Sequence, residues 1–298
     1  MTLLYDLGLD PQTLGFLALN LVLGTAVLAV VRALGGPLAG LDFKVEMAER
    51  DNPAFGIALA GTVLAVAIMM TAAVSGESAD NLLDEALAIL TYGLVGLLLM
   101  IAARLVFDRV SLPGFSLGQA IGRGNVAAGL MDAGNLVASA LVVRAVMTWA
   151  GDDGLQALPS VLIGFVLSQL LLSLASYYRL FLYNRAHGTS LQAAVEGGNA
   201  ALALRFSGYR IGVAFAITAA SAFVPFAFSS IWIVFGLWSV AALGAMVLVS
   251  LLAVVTDKLM LPGIDLRHEV DDEGNIAVGA AQAAIMIGIG AMAAAIAA

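Results

Sequence analysis

Long apolar stretches separated by short polar segments dominate this chain of 298 residues. A helix that crosses a bilayer needs about 20 predominantly apolar residues. Eight stretches meet that requirement: Leu14–Ala33, Pro53–Val74, Ala86–Phe107, Val126–Ala150, Leu158–Leu180, Ala200–Phe223, Ile231–Val255 and Ile276–Ala297. The pattern predicts an all-α integral membrane protein with about eight transmembrane helices.

The basic residues lie in alternate loops, counting the helix ends that border each loop. Four loops hold ten of the 13 Lys and Arg residues, namely Arg32, Lys44, Arg50, Arg104, Arg109, Arg123, Arg179, Arg185, Lys258 and Arg267. Basic loops remain in the cytoplasm. We therefore expect a multi-pass protein of the plasma (inner) membrane, with an even number of spans and both termini outside.

A short motif recurs four times along the chain. Its Asn residues stand 73, 74 and 76 residues apart, at Asn52, Asn125, Asn199 and Asn275. Alanine follows each Asn at the second position, and small residues follow at the fourth and ninth positions. Nine or ten residues before each Asn stands a good helix N-cap, at Asp42, Ser116, Ser190 and Asp265. We expect four units of two spans each, with a short interfacial helix before every even-numbered span.

The two halves of the chain resemble each other more closely still. The segment from Asp108 to Gly114 recurs 149 residues later, from Asp257 to Gly263. The sequence therefore predicts two four-helix membrane repeats, over residues 1–150 and 151–298. Because every unit contains two spans, all four units have the same orientation, as in parallel rather than inverted repeats.

The N-cap, the Gly-Asn-x-Ala segment and the Gly-rich span that follows resemble the YjfL-like family of bacterial inner-membrane proteins. In that family a four-helix domain of unknown function is often duplicated, which implies the same topology here. The genomic neighbours of some relatives imply a role in envelope maintenance. The chain departs from the family pattern where Asp51, Ala203 and Ala284 replace glycine.

The four Asn residues have two interpretations. In the first, they ring a shared axis and offer their amides to an ion or a polar head group. In the second, each caps its own helix, because Asn readily bonds the local backbone. The small residues after each Asn have a structural interpretation, since they let helix backbones approach closely in a membrane.

Polar side chains inside the spans are candidates for function, because they are costly in a bilayer. The candidates are Asp132, Asn135, Arg205, Arg210, Gln282 and Gln169. At 1.5 Å per residue, Arg210 lies roughly 16 Å along its span, near the middle of the bilayer. An unpaired Arg there costs about 2.5–3.5 kcal/mol, so we expect Asp132 to pair with Arg205 or Arg210. Such a pair would either lock neighbouring units together or gate a path for a solute.

Gln169 belongs to a polar stripe on the fifth span, together with Ser173 and Ser176. Their spacing places them on one helical face. This face either meets other helices through hydrogen bonds or lines a water-filled path.

Composition narrows the functional classes. The chain is 61% hydrophobic and 11% charged, and it has no cysteine and two histidines. Disulfides, thiolate chemistry and cysteine metal sites are excluded, and we expect no metal, no cofactor and no nucleic-acid partner. The acidic run Asp271–Glu273 is expected to be a solvated loop rather than a cation site.

The sequence contains no pattern typical of a catalytic site, so we do not expect an enzyme. We expect a small-solute or ion transporter or channel, because the spans carry polar residues and the repeats are pseudosymmetric. The alternative is a non-transporting scaffold or envelope-stress component that recruits cytoplasmic partner proteins. Membrane lipids and a second copy of the chain are the other expected partners.

Overall fold

A computed structural model of the protein describes residues 11–39, 41–74, 81–150 and 158–297. Within these ranges the chain forms eight long α-helices and two short ones. They are α1 (Pro11–Ala39), α2 (Pro53–Val74), α3 (Leu82–Val106), α4 (Leu117–Gly122), α5 (Val126–Trp149), α6 (Leu158–His187), α7 (Leu191–Glu196), α8 (Ala200–Ala219), α9 (Ile231–Met260) and α10 (Ile276–Ala297). The eight long helices are long and apolar enough to cross a membrane, which confirms the predicted all-α membrane fold.

Three spans end later than their apolar stretches predict, and the first of them, α1, continues to Ala39 rather than Ala33. Helix α6 continues to His187 rather than Leu180, and α9 continues to Met260 rather than Val255. The added turns carry polar residues such as Asp257. The end of an apolar stretch therefore does not mark the end of the helix, which continues into the polar segment that follows.

A short helical segment precedes each even-numbered span, as the sequence predicts. The hydroxyl groups of Ser116 and Ser190 cap α4 and α7 by accepting backbone N–H groups. The carboxylates of Asp42 and Asp265 accept backbone N–H groups in the same way. In these two units a π-helical turn takes the place of the short α-helix, at Val45–Glu49 and His268–Asp272.

The helices that follow the four Asn residues pack side by side in the order α2, α5, α8 and α10. We call them the row helices. The other long helices, which we call the flanking helices, lie against this row. Helix α3 packs against α2 and α5, α6 against α5 and α8, and α9 against α8 and α10, whereas α1 packs against α2 and α3. In the described part of the chain, α2 and α10 thus form the two ends of the row.

Close packing of the row helices depends on the repeated small residues. A Cβ atom added to Gly129 would lie 2.5 Å from the carbonyl oxygen of Ala54, and one added to Gly279 would lie 2.5 Å from that of Ala201. The glycines at the ninth position meet the eighth-position residue of the next unit, in the pairs Gly61–Ala133, Gly134–Ser207 and Gly208–Ala283. All three interfaces therefore share one register, and the packing role of the small residues is confirmed.

The residue before each Asn has a positive φ angle. It is 82° at Gly124, 88° at Gly198 and 68° at Gly274. Asp51 takes this position in the first unit with φ of 48°. This conformation favours glycine because a Cβ atom crowds the backbone there. The turn before each Asn therefore favours glycine, and Asp51 is the residue that differs from the repeated pattern.

Candidate ligand site

Each of the four Asn residues caps the row helix that follows it. Asn125 Oδ1, for example, accepts the backbone N–H of Ala128 at 3.0 Å, and Asn199 Oδ1 accepts that of Leu202 at 2.9 Å. Asn52 and Asn275 accept backbone N–H groups in the same way. The capping interpretation is therefore confirmed.

The amide nitrogens of three of these residues also reach the next unit. Each Nδ2 donates to a carbonyl at the end of the next short helical segment, and the bonds of 2.9 Å run from Asn52 to Ile121, from Asn125 to Val195 and from Asn199 to Val270. In the last unit, Asn275 Nδ2 donates to Glu269 of its own unit at 2.7 Å. The four residues thus form a ladder along the row, and the alternative of a ring about one axis is wrong.

Asp132 is fully buried and pairs with Arg104 of α3. Arg104 Nε donates to Asp132 Oδ1 at 2.9 Å, and Arg104 Nη2 donates to Asp132 Oδ2. The predicted pairing with Arg205 or Arg210 is therefore wrong. The end of α3 lies beside the start of α5, so Arg104 reaches Asp132 within one half of the chain. In the sequence, Arg104 stands at the border of a basic loop, so its role as the partner of Asp132 was not predicted.

Arg210 is 1% exposed and is held by neutral groups. Its guanidinium donates to Asn135 Oδ1 at 2.7 Å, to the carbonyl oxygen of Leu172 at 3.1 Å and to the hydroxyl of Ser176. The guanidinium carbon also lies 4.4 Å from the centre of the Phe107 ring. Arg210 and Asn135 therefore join α5, α6 and α8 in a packed interface.

The polar stripe on α6 meets neighbouring helices along its length. Gln169 Nε2 donates to the hydroxyl of Ser139 at 3.2 Å, and the hydroxyl of Ser173 lies 3.0 Å from that of Ser111. Gln169 and Ser173 are 5% and 6% exposed. These contacts favour the packing interpretation of the stripe over a water-filled path.

Arg205 pairs with Asp271, which lies in the π-helical turn before α10. His187 Nε2 is 3.4 Å from the other carboxylate oxygen of Asp271. Burial raises the pKa of the Asp271 carboxyl above its ordinary value, although Arg205 and His187 oppose this shift. The Asp271 side chain is 4% exposed, so the expectation of a solvated acidic loop is wrong at this residue.

A pocket of about 530 Å³ lies among α6, α8, α9 and α10. Its charged and amide-bearing lining residues are Arg179, Arg205, Asp257 and Gln282, and Ser250, Tyr178 and Tyr209 add hydroxyl groups. Much of its wall is apolar, with Leu174, Leu182, Leu243, Val247, Leu251 and Val254. On α9, Asp257 and Leu243 lie roughly 21 Å apart at 1.5 Å per residue. The pocket therefore combines a charged end with a long apolar surface.

In the first half of the chain, Arg104 occupies the corresponding sequence position. Ala253 stands 149 residues after Arg104, and Gln282 follows its Asn at the seventh position, as Asp132 does. Ala253 lines the pocket, and Gln282 Nε2 donates to Asp257 Oδ2 at 2.9 Å. Alanine and glutamine thus line the pocket at the positions where the first half has the arginine and the aspartate.

Three buried polar atoms of the lining residues have no hydrogen-bond partner within the described ranges. They are Arg205 Nε, Asp257 Oδ1 and Gln282 Oε1. An unsatisfied polar group in hydrocarbon costs several kcal/mol. The residues that line the pocket therefore carry polar atoms whose hydrogen-bonding capacity is unused within the described structure.

The structure brings two of the six predicted polar residues, Arg205 and Gln282, to this pocket. The other four lie in the packed interfaces described above. Arg179, Asp257 and Ala253 were not predicted from the sequence as site residues. A position-by-position comparison of the two halves would have found Asp257 and Ala253, because they align with Asp108 and Arg104.

The duplicated helices and the shared interface register define a polytopic membrane protein built from internal repeats. The chain matches the family described as a domain of unknown function, DUF350, over residues 6–147 and again over residues 153–297. The protein therefore belongs to this family and contains its domain twice. No curated protein and no solved structure matches the chain.

Proposed function

We propose that this protein binds an amphiphile in the pocket among α6, α8, α9 and α10, and that it is a lipid-binding membrane scaffold. One observation carries the proposal. The second half has a pocket at the position where Ala253 replaces Arg104, and the residues that line this pocket carry unsatisfied polar atoms. The apolar wall beside these atoms matches a hydrocarbon chain in length and chemistry.

The charged end of the pocket favours a zwitterionic head group. The free carboxylate oxygen of Asp257 and the carbonyl oxygen of Gln282 both require donors, which an ammonium group supplies. The guanidinium groups of Arg205 and Arg179 suit an anion such as phosphate. A phospholipid whose head group carries an ammonium and a phosphate meets both requirements.

The locked polar residues support a scaffold over an ion channel. An ion path needs polar groups that line water, whereas Asp132, Asn135 and Arg210 are almost fully buried. Asp132 accepts a hydrogen bond from Arg104, and Asn135 accepts one from Arg210. In the packed region of the bundle these residues fix which helices meet. This supports the alternative that the sequence left open, a non-transporting scaffold with protein partners.

The test fills the pocket in the way that the first half fills its own. The double variant Ala253→Arg/Gln282→Asp recreates the pair formed by Arg104 and Asp132. We expect this variant to fold and to lose the phospholipid that co-purifies with the wild type. The readout is native mass spectrometry from nanodiscs that contain equal amounts of phosphatidylethanolamine and phosphatidylglycerol, in which the wild type should retain the zwitterionic lipid.

The reciprocal variant Arg104→Ala/Asp132→Gln is the matched control. It removes the filling pair from the first half, so we expect it to retain one additional phospholipid per chain. If the filled variant keeps as much lipid as the wild type while its elution volume and melting are unchanged, the amphiphile proposal is wrong.

Carriage of an amphiphilic solute is the second candidate function. The observation that favours it is the position of charged residues in a pocket among membrane-spanning helices. A liposome assay with a fluorescent phospholipid would detect movement between leaflets. Movement that stops in the Ala253→Arg/Gln282→Asp variant would favour transport, and no movement above empty liposomes would favour the scaffold.

We place the loops with basic residues in the cytoplasm of a bacterium whose inner membrane holds the protein. Because the chain has no cysteine, single-cysteine variants report orientation without background. Arg123→Cys should react with a membrane-impermeant maleimide only after lysis, whereas Ser229→Cys should react in intact spheroplasts. The opposite pattern would reverse the proposed orientation.

A further inference from the structure

The two ends of the helix row expose the two halves of the interface that holds the row together. Inside the row, the ninth-position residue of one unit meets the eighth-position residue of the next. At one end, the ninth-position Ala284 of α10 is exposed, and a Cβ atom added to Gly288 meets nothing within 4 Å among the described residues. At the other end, the eighth-position Ala60 of α2 is exposed.

We infer that α10 of one copy docks on α2 of a second copy in the same orientation, so that the row continues from chain to chain. Each end of the row would thus be covered by the opposite end of another copy. The reason is that the same register already joins α2 to α5, α5 to α8 and α8 to α10. An interface between unlike surfaces produces a ring or an open filament. This inference is independent of the ligand pocket.

The ladder of Asn residues supports this continuation. Asn52 Nδ2 donates to Glu46 of its own unit and to Ile121 of the next unit. Asn275 Nδ2 makes the first kind of bond, to Glu269, but in the described part of the chain it has no acceptor of the second kind. The docked copy would present the carbonyl of Met47, which precedes Asn52 by five residues as Val270 precedes Asn275 in the other unit with a π-helical turn.

The flanking helices support it as well. Helices α3, α6 and α9 each lie in a groove between two row helices, whereas α1 packs against α2 as its principal row helix. Leu17 and Leu21 of α1 are 55% and 65% exposed. In the continued row, α1 would lie in the groove between its own α2 and the preceding copy's α10.

Charge makes this junction weaker than the internal ones. Arg123 and Glu196 pair across the interface between the second and third units at 3.2 Å. Glu273 and Glu49 occupy the corresponding positions at the junction between copies. Their repulsion is screened by salt, so we expect association to strengthen as ionic strength rises.

Cysteine cross-linking in nanodiscs or native membranes tests the register. A chain with both Ala284→Cys and Ala60→Cys should form disulfide-linked dimers and larger species, because the two positions meet only between copies. The matched control, Leu170→Cys with Ala60→Cys, places one cysteine on the exposed face of α6 and should remain largely monomeric. Adding Glu273→Arg, which supplies a partner for Glu49, should raise the linked fraction at low salt.

Two results would overturn the inference. One is a double-cysteine chain that links no more than its control while it elutes as a folded protein. The other is equal linking by Ala284→Cys alone, which would indicate a two-fold contact between two α10 helices. A closed set of linked species and an open-ended ladder both support the continued row, and they distinguish a ring from a filament.

Discussion

The ion pair between Asp132 and Arg104 provides the most direct stability test of the structure. Asp132→Asn removes a fully buried carboxylate and leaves the positive charge of Arg104 in place. Removing one partner of a buried pair costs about 3–5 kcal/mol, because the other charge is left uncompensated. The Arg104 side chain is 23% exposed, which allows some hydration, so we expect a loss at the lower end, about 3 kcal/mol.

Unfolding by SDS in mixed micelles, followed by tryptophan fluorescence, measures this free energy. The control is Glu196→Gln, which breaks the exposed pair with Arg123, whose side chains are 61% and 60% exposed. Exposed pairs contribute about 0–1 kcal/mol, so this variant should unfold almost as the wild type does. The double variant Asp132→Asn/Arg104→Met should recover part of the loss, because no buried charge remains.

Two outcomes would refute this reasoning. The first is an Asp132→Asn variant that unfolds at the same SDS fraction as the wild type. The second is a double variant whose loss equals the sum of the two single losses, since independent residues are additive and residues in contact are not.

The remaining predictions concern packing, backbone strain and pH. Gly208→Leu should prevent stable folding, because a Cβ atom there overlaps the Ala283 backbone. The control Gly236→Leu should be tolerated, because a Cβ atom there meets nothing within 4 Å in the described structure. Equal melting temperatures of the two variants would contradict the register. Asp51→Gly should stabilise the protein by about 1 kcal/mol in SDS titration by relieving the positive φ. Because the pKa of Asp271 is raised, its protonated form is favoured in the folded state. The wild-type free energy of unfolding minus that of Asp271→Asn should therefore fall as pH rises from about 4 through the raised pKa of Asp271. A difference that stays constant with pH would contradict the raised pKa.

The sequence sufficed for the spans and the repeated interface, but not for the pairing of the buried charges. Span positions depend on local composition, and the small residues recur at fixed distances from each Asn, so both could be predicted. The partner of Asp132 depends on which face of α5 meets α3, and no local pattern contains that information. The same reason explains why Arg210 was expected to need a carboxylate, although Asn135, Ser176 and a backbone carbonyl satisfy it.

The candidate pocket was only partly predictable, for a different reason. Arg205 and Gln282 were found because polar residues inside spans are rare and costly. Ala253 was not found, since its importance lies in a side chain that is absent. Only the comparison with Arg104 shows that an ordinary alanine lines the pocket where the other half has a charged side chain.

The direction of the Asn bonds has a consequence for synthesis. The side-chain amides of Asn52, Asn125 and Asn199 can form these bonds only after a carbonyl about 70 residues further along the chain has been synthesised. The first unit would therefore enter the membrane with one hydrogen-bond donor unsatisfied, and insertion of each following unit would satisfy the previous donor and introduce another. Stability would then accumulate from the N-terminus in steps, as in arrays whose repeats contact only their neighbours.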